Sequence, residues 1–588
     1  MAQRKSWIVL LFAILTFGPG LLRAERDVFR ANTIFGAGGN EKSPAGAAPP
    51  SPIFSYFCLN KRILPGDFNN DGFPDFVVVA DGAMMDKAYT AGSGSLTAGD
   101  YFFNKYPNPN PVATDGFPDP SPNVQLGRQA GDPWGNIQNP FNKTSDLAVF
   151  QNLMVGPGPG TSFGHFRMNH IVPLPANVPA NIYSAQEMAV GSLDGSNPPD
   201  IVVWTGLGAF PLPPAGPPFG DPQSARSSVV IYRNNSNPFF LSFGEQFLFQ
   251  RELSPGSGTF CNQPVAGTLA DLDGDNDLDI LVACYDPAAP PLQASLFYYR
   301  NDGAGGFDSI APPNTDPPIP ITDGGAVITN RFIRKVVTGY INGDARIDIV
   351  FGQDDGAANP ELFYLQHITG DDYTITQLRN NFPVRAIAVG PLTGGAFRDV
   401  VAGGGGAASP LTLFYRTLGW NSFMLPGGDQ LVSEIGDIKI ADLNNDGLND
   451  IVAVAGQNSA SAAAQAQGWD SHVMVWINLG DANGTPGPED WQPMGLWERS
   501  AGQENTPNFP GPAWGSVAID DFDGDGDNDI VSVTRHWPMV YFENTFNTIR
   551  KVHIQATAEN GQTGTVVYHS TRPLGGFTTG DGMEWGKP

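Results

Sequence analysis

Four short acidic loops, each followed by an apolar run, constrain the fold of this chain more than any other feature. They read DFNNDGFPDFVVV from position 67, DLDGDNDLDILVA from 271, DLNNDGLNDIVAV from 442 and DFDGDGDNDIVSV from 521. A segment that recurs in this way indicates a repeat architecture, in which each copy contributes one small structural unit. The alternating acidic side chains also indicate a bound cation, because a tightly curled loop directs them toward one point.

Each loop carries oxygen-bearing side chains at its first, third, fifth and ninth positions. Calcium takes about six to eight oxygen ligands, which these side chains, a backbone carbonyl and water can supply, whereas magnesium prefers a smaller octahedral shell. The sequence therefore predicts about four calcium sites. The predicted ligands are Asp67, Asn69, Asp71 and Asp75; Asp271, Asp273, Asp275 and Asp279; Asp442, Asn444, Asp446 and Asp450; and Asp521, Asp523, Asp525 and Asp529.

An EF-hand begins with a similar loop but requires a bidentate Glu at position 12 and a flanking helix. Position 12 is Val78, Val282, Ala453 or Ser532 here, and none of these can bind calcium. Short β-branched runs such as FVVV and IVAV follow the loops and are typical of buried strands. The loops are therefore predicted to join two strands. A simpler alternative, that they are only soluble Asp-Gly turns, does not explain four copies with one spacing.

Three further segments repeat the strand, loop and strand pattern with fewer ligands. GSLDGSNPPDIVVW has Ser192, Asp194, Ser196 and Asp200 at the four positions, and GPLTGGAFRDVVAG keeps only Thr393 and Asp399. GYINGDARIDIVFG has Tyr340 at the first position and Asn342, Asp344 and Asp348 at the others, so that a weaker calcium site is predicted there. We interpret these as repeats whose metal site has decayed while the ninth-position Asp still caps the turn.

The seven loops begin at positions 67, 192, 271, 340, 391, 442 and 521, and the shortest interval is 51 residues. Four strands with their turns need about 40–50 residues, the size of one propeller blade. The sequence thus predicts an all-β, seven-bladed β-propeller of four-stranded antiparallel blades, with calcium loops between strands one and two. Segments such as SVVIYRNN at 228 and MVYFENTF at 539 are predicted third strands, and IRKVHIQA at 549 a fourth strand.

The D-x-[DN]-x-D-G-x-x-D loop, its apolar strand and the later V-x-[FY]-x-N strand resemble the FG-GAP/VCBS repeat family over residues 53 to 556. That family includes the integrin α-subunit head, fungal and bacterial lectins, and propeller parts of some polysaccharide lyases. The resemblance implies a calcium-binding propeller. It does not imply one activity, because propellers support many unrelated functions.

The N-terminus predicts a secretory signal peptide over residues 1–24, with Arg4 and Lys5 before an apolar run from Trp7 to Gly18. That run is too short to span a membrane, and no later stretch is long enough. Residues 25–588 are predicted to form one propeller in a secreted or periplasmic protein. Either DVFRANTIF or GTVVYHS closes the ring.

Cysteine content leaves two alternatives for the three thiols, Cys58, Cys261 and Cys284. Cys261 and Cys284 flank one acidic loop and can pair, or all three remain unpaired and buried.

Composition is more decisive about partners. The formal net charge of −27 argues against nucleic acid and anionic membranes, but not against a glycan or an extracellular protein.

Long insertions lie where strands two and three connect, which places them on the face opposite the acidic loops. They are residues 83–145, 205–227 and 454–471. Loops on a rigid scaffold are frequent binding sites, so we expect the ligand on this face. Several Trp residues in or beside loops are candidates for stacking on sugar rings or for filling space between blades: Trp134, Trp469, Trp491, Trp497 and Trp537. Trp476, inside VMVWIN, is predicted to lie in the core.

Three functions remain open from sequence. The first is a calcium-stabilised module that binds a glycan or protein. The second is a lyase-like polysaccharide enzyme, in which Arg535, His536 and His472 abstract a proton beside a uronate carboxylate. The third is a structural or adhesive cell-surface protein. No nucleophile elbow, zinc-binding helix, phosphate loop or dinucleotide fingerprint occurs, so the sequence favours binding over catalysis and assigns no catalytic residue.

Overall fold

Short antiparallel strands separated by turns dominate this computed structural model, in keeping with 71 Gly and 53 Pro residues in the chain. The structure describes residues 29–35, 58–82, 145–152, 166–170, 184–196, 198–206, 227–238, 241–251, 264–284, 296–307, 319–328, 333–353, 360–395, 397–404, 408–417, 419–431, 435–455, 473–481, 483–496, 515–534, 539–544, 552–557, 563–568 and 584–585. The predicted signal peptide lies outside these residues. No helix in the described part of the chain is long and apolar enough to cross a membrane.

Seven sheets follow one another along the chain, and each is one blade. The first strand in the sequence is β1 (Phe29–Phe35). Blades 1 to 3 then consist of β2 (Cys58–Gly66), β3 (Asp75–Gly82), β4 (Ser145–Asn152) and β5 (Phe166–His170); β6 (Ser184–Gly191), β7 (Asp200–Gly206), β8 (Ser227–Asn234) and β9 (Phe243–Arg251); and β10 (Pro264–Ala270), β11 (Asp279–Cys284), β12 (Leu296–Tyr299) and β13 (Ile319–Pro320).

Blade 4 carries an added hairpin, β14 (Thr322–Asp323) and β15 (Ala326–Val327), on the outer edge of its four strands. Blades 4 to 7 consist of β16 (Ile333–Gly339), β17 (Asp348–Gln353), β18 (Glu361–Thr369) and β19 (Asp372–Asn380); β20 (Ala386–Gly390), β21 (Asp399–Gly403), β22 (Thr412–Arg416) and β23 (Trp420–Met424); β24 (Ile435–Ala441), β25 (Asp450–Ala455), β26 (Val473–Asn478) and β27 (Trp491–Gly495); and β28 (Gly515–Asp520), β29 (Asp529–Thr534) and β30 (Met539–Asn544). Short 3-10 helices span Gly428–Gln430 and Pro488–Asp490.

The N-terminal strand closes the ring. β1 pairs antiparallel with β30 and becomes the fourth strand of blade 7, with Phe29 opposite Asn544. Closure by a strand from the other end of the chain removes the exposed sheet edges of an open ring. DVFRANTIF therefore contains the closing strand. The prediction that IRKVHIQA supplies a fourth strand is wrong, because β31 (Val552–Thr557) pairs with β32 (Thr563–Tyr568), which pairs with β33 (Glu584–Trp585) in a separate sheet.

The first strand of every blade contacts the first strands of both neighbouring blades, so these strands form a closed inner ring. The hydrophobic core is divided into clusters between successive blades, such as Phe68, Val77 and Val230 between blades 1 and 2. Phe76 and Phe522 meet edge-on at 6.0 Å where blade 7 contacts blade 1. Second strands such as β11, β17 and β25 are buried along their whole length, as the continuous apolar runs predict. The predicted all-β, seven-bladed propeller of four-stranded antiparallel blades is thus confirmed, and calcium in its loops stays a prediction.

A cavity of about 340 Å³ lies among the first strands of blades 1 to 6 and is lined by several charged side chains. Glu187 accepts hydrogen bonds from Arg62 Nε at 2.7 Å and from Lys335 Nζ at 2.5 Å. In the same inner ring, the Asp437 carboxylate accepts a hydrogen bond from the Ser516 hydroxyl at 2.5 Å. Each of these residues stands five positions before the acidic loop of its blade. The network therefore joins blades 1, 2 and 4, and it continues to blades 6 and 7, because Arg62 Nη1 donates to Gly436 O at 3.4 Å and the Ile63 N–H donates to the Ser516 hydroxyl at 3.3 Å.

Candidate metal centres

The acidic loops join the first strand of each blade to the second, as predicted. The loop that begins at Asp67, for example, follows β2 and ends where β3 begins at Asp75. Because all seven first strands run in the same sense around the inner ring, the seven loops emerge on one face. We call this the loop face, and the side where strands two and three connect the insertion face.

Backbone conformation explains the Gly and Asn residues of these loops. The fourth loop position has a positive φ in all seven copies, and it is Gly or Asn in each, the residues that adopt this conformation at least cost. The sixth position is also left-handed in the four complete loops, where it is Gly72, Asn276, Gly447 and Gly526. Among the described residues of the incomplete loops, Ala345 at that position is not left-handed. A second left-handed residue thus accompanies the full ligand set.

The first-position carboxylate holds the loop in its curled form. Asp67 accepts hydrogen bonds from the backbone of Asp71 at 3.0 Å and of Gly72 at 2.8 Å. Asp442 and Asp521 make the same pair of contacts in blades 6 and 7. These contacts place positions one and five on the same side of the turn, where both can face one ion.

The carboxylates at positions one, three and five converge in the two loops that have Asp at all three. Asp271, Asp273 and Asp275 have ligand atoms within 4.8 Å of one another, and so do Asp521, Asp523 and Asp525. In blades 1 and 6 the third position is Asn, and Asn69 Nδ2 donates to Asp71 at 2.7 Å. Calcium binding at those loops requires the amide to present its oxygen instead.

Blade 7 has the strongest chemical requirement for a cation. Asp523 is only 4% exposed. Its Oδ2 atom and that of Asp525 are buried and accept no hydrogen bond. Burial, followed by the charge of Asp525, raises the pKa of Asp523 to about 7. Buried, unpaired carboxylate oxygens are costly, and a divalent cation would satisfy both. The donor set therefore fits calcium, which binds hard oxygen ligands.

The ninth-position Asp has a different environment from the other three. Asp75 is fully buried, and its two oxygens accept the backbone N–H groups of Phe68 at 3.1 Å and Asn152 at 2.7 Å. Burial raises the pKa of Asp75 to about 8, and burial also raises the pKa of Asp529 to about 9. This residue ties the loop to the end of the third strand, whether or not it also binds an ion.

The third-strand Asn connects neighbouring blades, which the sequence did not reveal. Asn544 Nδ2 donates to Asn528 O in its own blade at 2.8 Å and to Leu443 O in the loop of blade 6 at 2.6 Å. Asn152 makes the same contact across the closing seam, to Phe522 O of blade 7 at 2.7 Å. Asn234, Asn301 and Asn478 repeat it in blades 2, 3 and 6. We call this contact the Asn bridge.

The family model for the FG-GAP repeat matches residues 62–97. That match begins in the first strand of blade 1 and includes its complete acidic loop. Blade 1 thus contains a segment similar to the FG-GAP repeat, and the match is limited to that segment. The family resemblance seen in the sequence is therefore confirmed, and the seven-bladed ring of four-stranded blades is consistent with it.

Other comparisons add little to the FG-GAP assignment. No curated protein matches the chain. Among solved structures, a rhamnogalacturonan lyase, YesW, is similar at 12% identity and a TM-score of 0.32, over 87% of this chain and 84% of that one. A similarity at this level carries no argument about function.

The incomplete loops of blades 2, 4 and 5 keep the ninth-position cap. Asp200 accepts the N–H groups of Leu193 and Asn234. Asp348 accepts those of Asn342 and His367. Asp399 accepts those of Leu392 and Thr393. The interpretation that this Asp caps the turn after the ligand set is lost is confirmed. The weaker calcium site at Asn342, Asp344 and Asp348 stays a prediction.

Two Trp residues of the ring belong to the core. Trp476 is fully buried, as predicted, and its Nε1 donates to Pro426 O at 2.8 Å. Trp491 is 5% exposed and packs in the cluster between blades 5 and 6, so a role in stacking on a sugar is wrong and the alternative of filling space between blades is confirmed. The remaining aromatic candidates lie outside the described residues: Trp134, Trp469, Trp497 and Trp537.

The lyase alternative gains no support from the described residues, because Arg535, His536 and His472 all lie outside them.

The cysteine prediction is partly resolved, since Cys284 is disulfide-bonded. The alternative in which all three thiols remain unpaired is therefore wrong. Cys261 lies outside the described residues, and its pairing with Cys284 stays a prediction.

Proposed function

We propose that this FG-GAP propeller is a secreted, calcium-stabilised binding module that holds a glycan or an extracellular protein on its insertion face. The observation that carries the proposal is the strand topology. Strands two and three of blade 1 pair up to Asp81 and Ser145, so strand two ends and strand three begins on this face. In blades 2 and 6 the second strand also ends, and the third begins, on the same face.

Calcium serves the scaffold in this proposal. The four complete loops lie on the opposite face, and their carboxylates repel one another until a cation binds. Buried oxygens of Asp523 and Asp525 without hydrogen bonds support a bound ion in blade 7. Extracellular calcium is abundant enough to load sites of moderate affinity, which agrees with export of the chain. The formal charge of −27 supports a neutral glycan or a basic protein surface over nucleic acid.

The test removes the blade 1 insertion. Because Asp81 and Ser145 are paired, residues 83–143 can be replaced by a short Gly-Asn turn that keeps both strands. We expect the wild type to bind one class of sugar on a glycan array, and the shortened variant to lose that binding while keeping its melting temperature. Binding that survives removal of all three insertions contradicts the proposed face.

Chelation tests the calcium claim separately. Removing calcium with EDTA is expected to lower the melting temperature, because ions bound only by the folded ring stabilise it by mass action. An unchanged melt removes calcium from the proposal without affecting the binding face. Release of products with unsaturated-uronate absorbance from acidic polysaccharides would instead favour the lyase alternative, and large assemblies in sedimentation a structural role.

A further inference from the structure

The cavity at the centre of the ring has a lining of definite chemical character. Its volume is about 340 Å³, and pockets that bind small molecules range upward from about 300 Å³. Residues two apart on a strand point to the same side, and the first strands line the cavity at two such levels. The charged network stands five positions before the acidic loops. The second level stands three positions before them, and we call it the loop-side level; its members at the cavity are Leu64, Ala189, Thr268, Val337 and Lys439.

The two carboxylates of the cavity already have partners on both of their oxygens. Glu187 Oε1 accepts a hydrogen bond from Arg62 Nε, and its Oε2 accepts one from Lys335 Nζ. Asp437 Oδ1 accepts the N–H of the next residue at 3.0 Å, and its Oδ2 accepts the Ser516 hydroxyl. The acceptors of the cavity are therefore occupied by groups of the protein itself.

The donors of the cavity, by contrast, have unused capacity. A lysine ammonium has three N–H donors, and within the described part of the chain Lys335 Nζ donates only to Glu187. Lys439 Nζ lies 3.7 Å from Asp437 Oδ2, which is beyond hydrogen-bond distance. The Thr268 hydroxyl also lines the cavity and has no hydrogen-bond partner among the described residues. Burial lowers the pKa of Lys335 although the charge of Glu187 acts in the opposite direction. The free hydrogen-bonding groups thus suit an anion.

The rest of the loop-side level is apolar. Leu64, Ala189 and Val337 line the cavity and are only partly buried. An inorganic anion would leave these side chains in contact with water, whereas a carboxylate on a short hydrocarbon chain would cover them, which is favourable. A few convergent polar groups in a mainly apolar cavity are typical of sites for small organic molecules.

We propose that the central cavity binds one small monocarboxylic acid. Lys335, Lys439 and Thr268 hold its carboxylate, and the apolar side chains of the loop-side level cover its hydrocarbon chain. The three donors come from blades 4, 6 and 3, so the bound acid connects blades across the ring and stabilises the folded state by mass action. This site goes beyond the proposed function, because it requires neither a ligand on the insertion face nor calcium in the loops.

Isothermal titration calorimetry and thermal melting of the full chain at saturating calcium test the inference, with sodium hexanoate as the probe. We expect one hexanoate to bind per chain and to raise the melting temperature. Hexanamide has the same hydrocarbon chain without the charge and should bind roughly tenfold more weakly, because hydrogen bonds to an ionised group are the stronger ones. Sodium phosphate and sodium chloride measure the binding of simple anions.

Two variants remove single donors, and a third is the matched control. Lys439→Gln changes a side chain that is 31% exposed, so the ring should fold, and hexanoate binding should weaken roughly tenfold. Thr268→Val keeps the shape of the side chain, removes the hydroxyl and should weaken binding less. Arg398→Gln also removes one positive charge, but from an exposed residue outside the cavity lining, and should leave binding unchanged.

Four results overturn the inference. Hexanoate and hexanamide bind equally well, or Lys439→Gln and Arg398→Gln weaken binding to the same extent. Hexanoate does not bind at all, as expected of a cavity that holds only water, or phosphate binds and hexanoate does not, as expected of a site for inorganic anions. The glycan array and the EDTA melt report separately on the insertion face and on calcium, so failure here leaves the proposed function unchanged.

Discussion

Glu187 offers the sharpest test of how the inner ring is held together. Its carboxylate is 6% exposed and bonds to Arg62 and Lys335, which are each 12% exposed. Burial alone would raise the pKa of Glu187, but the two cations and their hydrogen bonds outweigh it and lower the pKa from 4.5 to about 2. Since one pKa unit corresponds to about 1.4 kcal/mol, this shift corresponds to at most roughly 3 kcal/mol of stability, because burial lowers the pKa of Lys335 in the same cluster and so opposes part of the gain.

The substitution Glu187→Gln keeps the shape of the side chain and removes its charge, leaving Arg62 and Lys335 without their buried anion. Breaking a buried ion pair from one side typically costs about 3–5 kcal/mol, and the pKa shift agrees with the lower end of that range. We therefore expect the free energy of unfolding to fall by about 3 kcal/mol at pH 7. Lys439→Gln is the matched control, because Lys439 is 31% exposed and lies 3.7 Å from Asp437, so its loss should cost less than about 1 kcal/mol.

Urea denaturation at saturating calcium, followed by Trp fluorescence, measures both variants. The pH dependence gives a second readout. A carboxylate with a lowered folded-state pKa stabilises the protein fully above its unfolded value of about 4.5, and this contribution is lost as the pH falls toward 2. The difference between wild type and Glu187→Gln should shrink over that interval. A difference below about 1 kcal/mol at pH 7, or one that does not change with pH, refutes the ion-pair explanation.

Three further predictions address the loops and the seams between blades. Asn544→Ala removes two buried hydrogen bonds and should lower the free energy of unfolding by about 2 kcal/mol in urea denaturation; a neutral effect contradicts the Asn bridge. Asp399→Asn should lower the melting temperature equally with calcium and with EDTA, because its loop keeps the cap without the ligand set. A decrease in melting temperature that occurs only with calcium would contradict this prediction. Gly447→Ala should cost about 1–2 kcal/mol because φ is 86°, whereas Gly419→Ala, in open space, should be neutral; equal costs would exclude backbone strain.

The repeat and the blade were predictable because their signals are local. The ligand spacing places a loop, and the apolar run after it is buried as a second strand in every blade. Ring closure was not predictable, since DVFRANTIF and GTVVYHS have similar strand character and only the pairing of β1 with β30 decides between them. IRKVHIQA was assigned to the wrong sheet for the same reason. Two-residue strands such as β14 are too short to produce a periodic pattern.

The contacts between blades were hidden because their partners lie far apart in the sequence. The Asn of the V-x-[FY]-x-N segment was visible, but its acceptor lies in the preceding blade, and for Asn152 that acceptor is 370 residues away. The inner-ring network was also hidden, although its members stand at one constant distance before the loops. They differ in type from blade to blade, with Arg62, Glu187, Lys335 and Asp437 at equivalent places, so no motif identifies them.

Separation of two tasks within the acidic loop explains why three copies can lose their metal ligands and still form blades. The ninth-position Asp binds the backbone of its own loop and of the third strand in the complete copy of blade 3 and in the incomplete copy of blade 2, and Asp399 of blade 5 binds two N–H groups of its own loop. Positions one, three and five carry the charge that calls for a cation. A loop without those carboxylates has no such repulsion to neutralise, and its cap is intact. Loss of the cap in any blade, by contrast, would leave buried N–H groups without acceptors. The fold therefore depends on the ninth position in all seven blades, whereas the proposed calcium binding depends on the other three positions in the four complete loops.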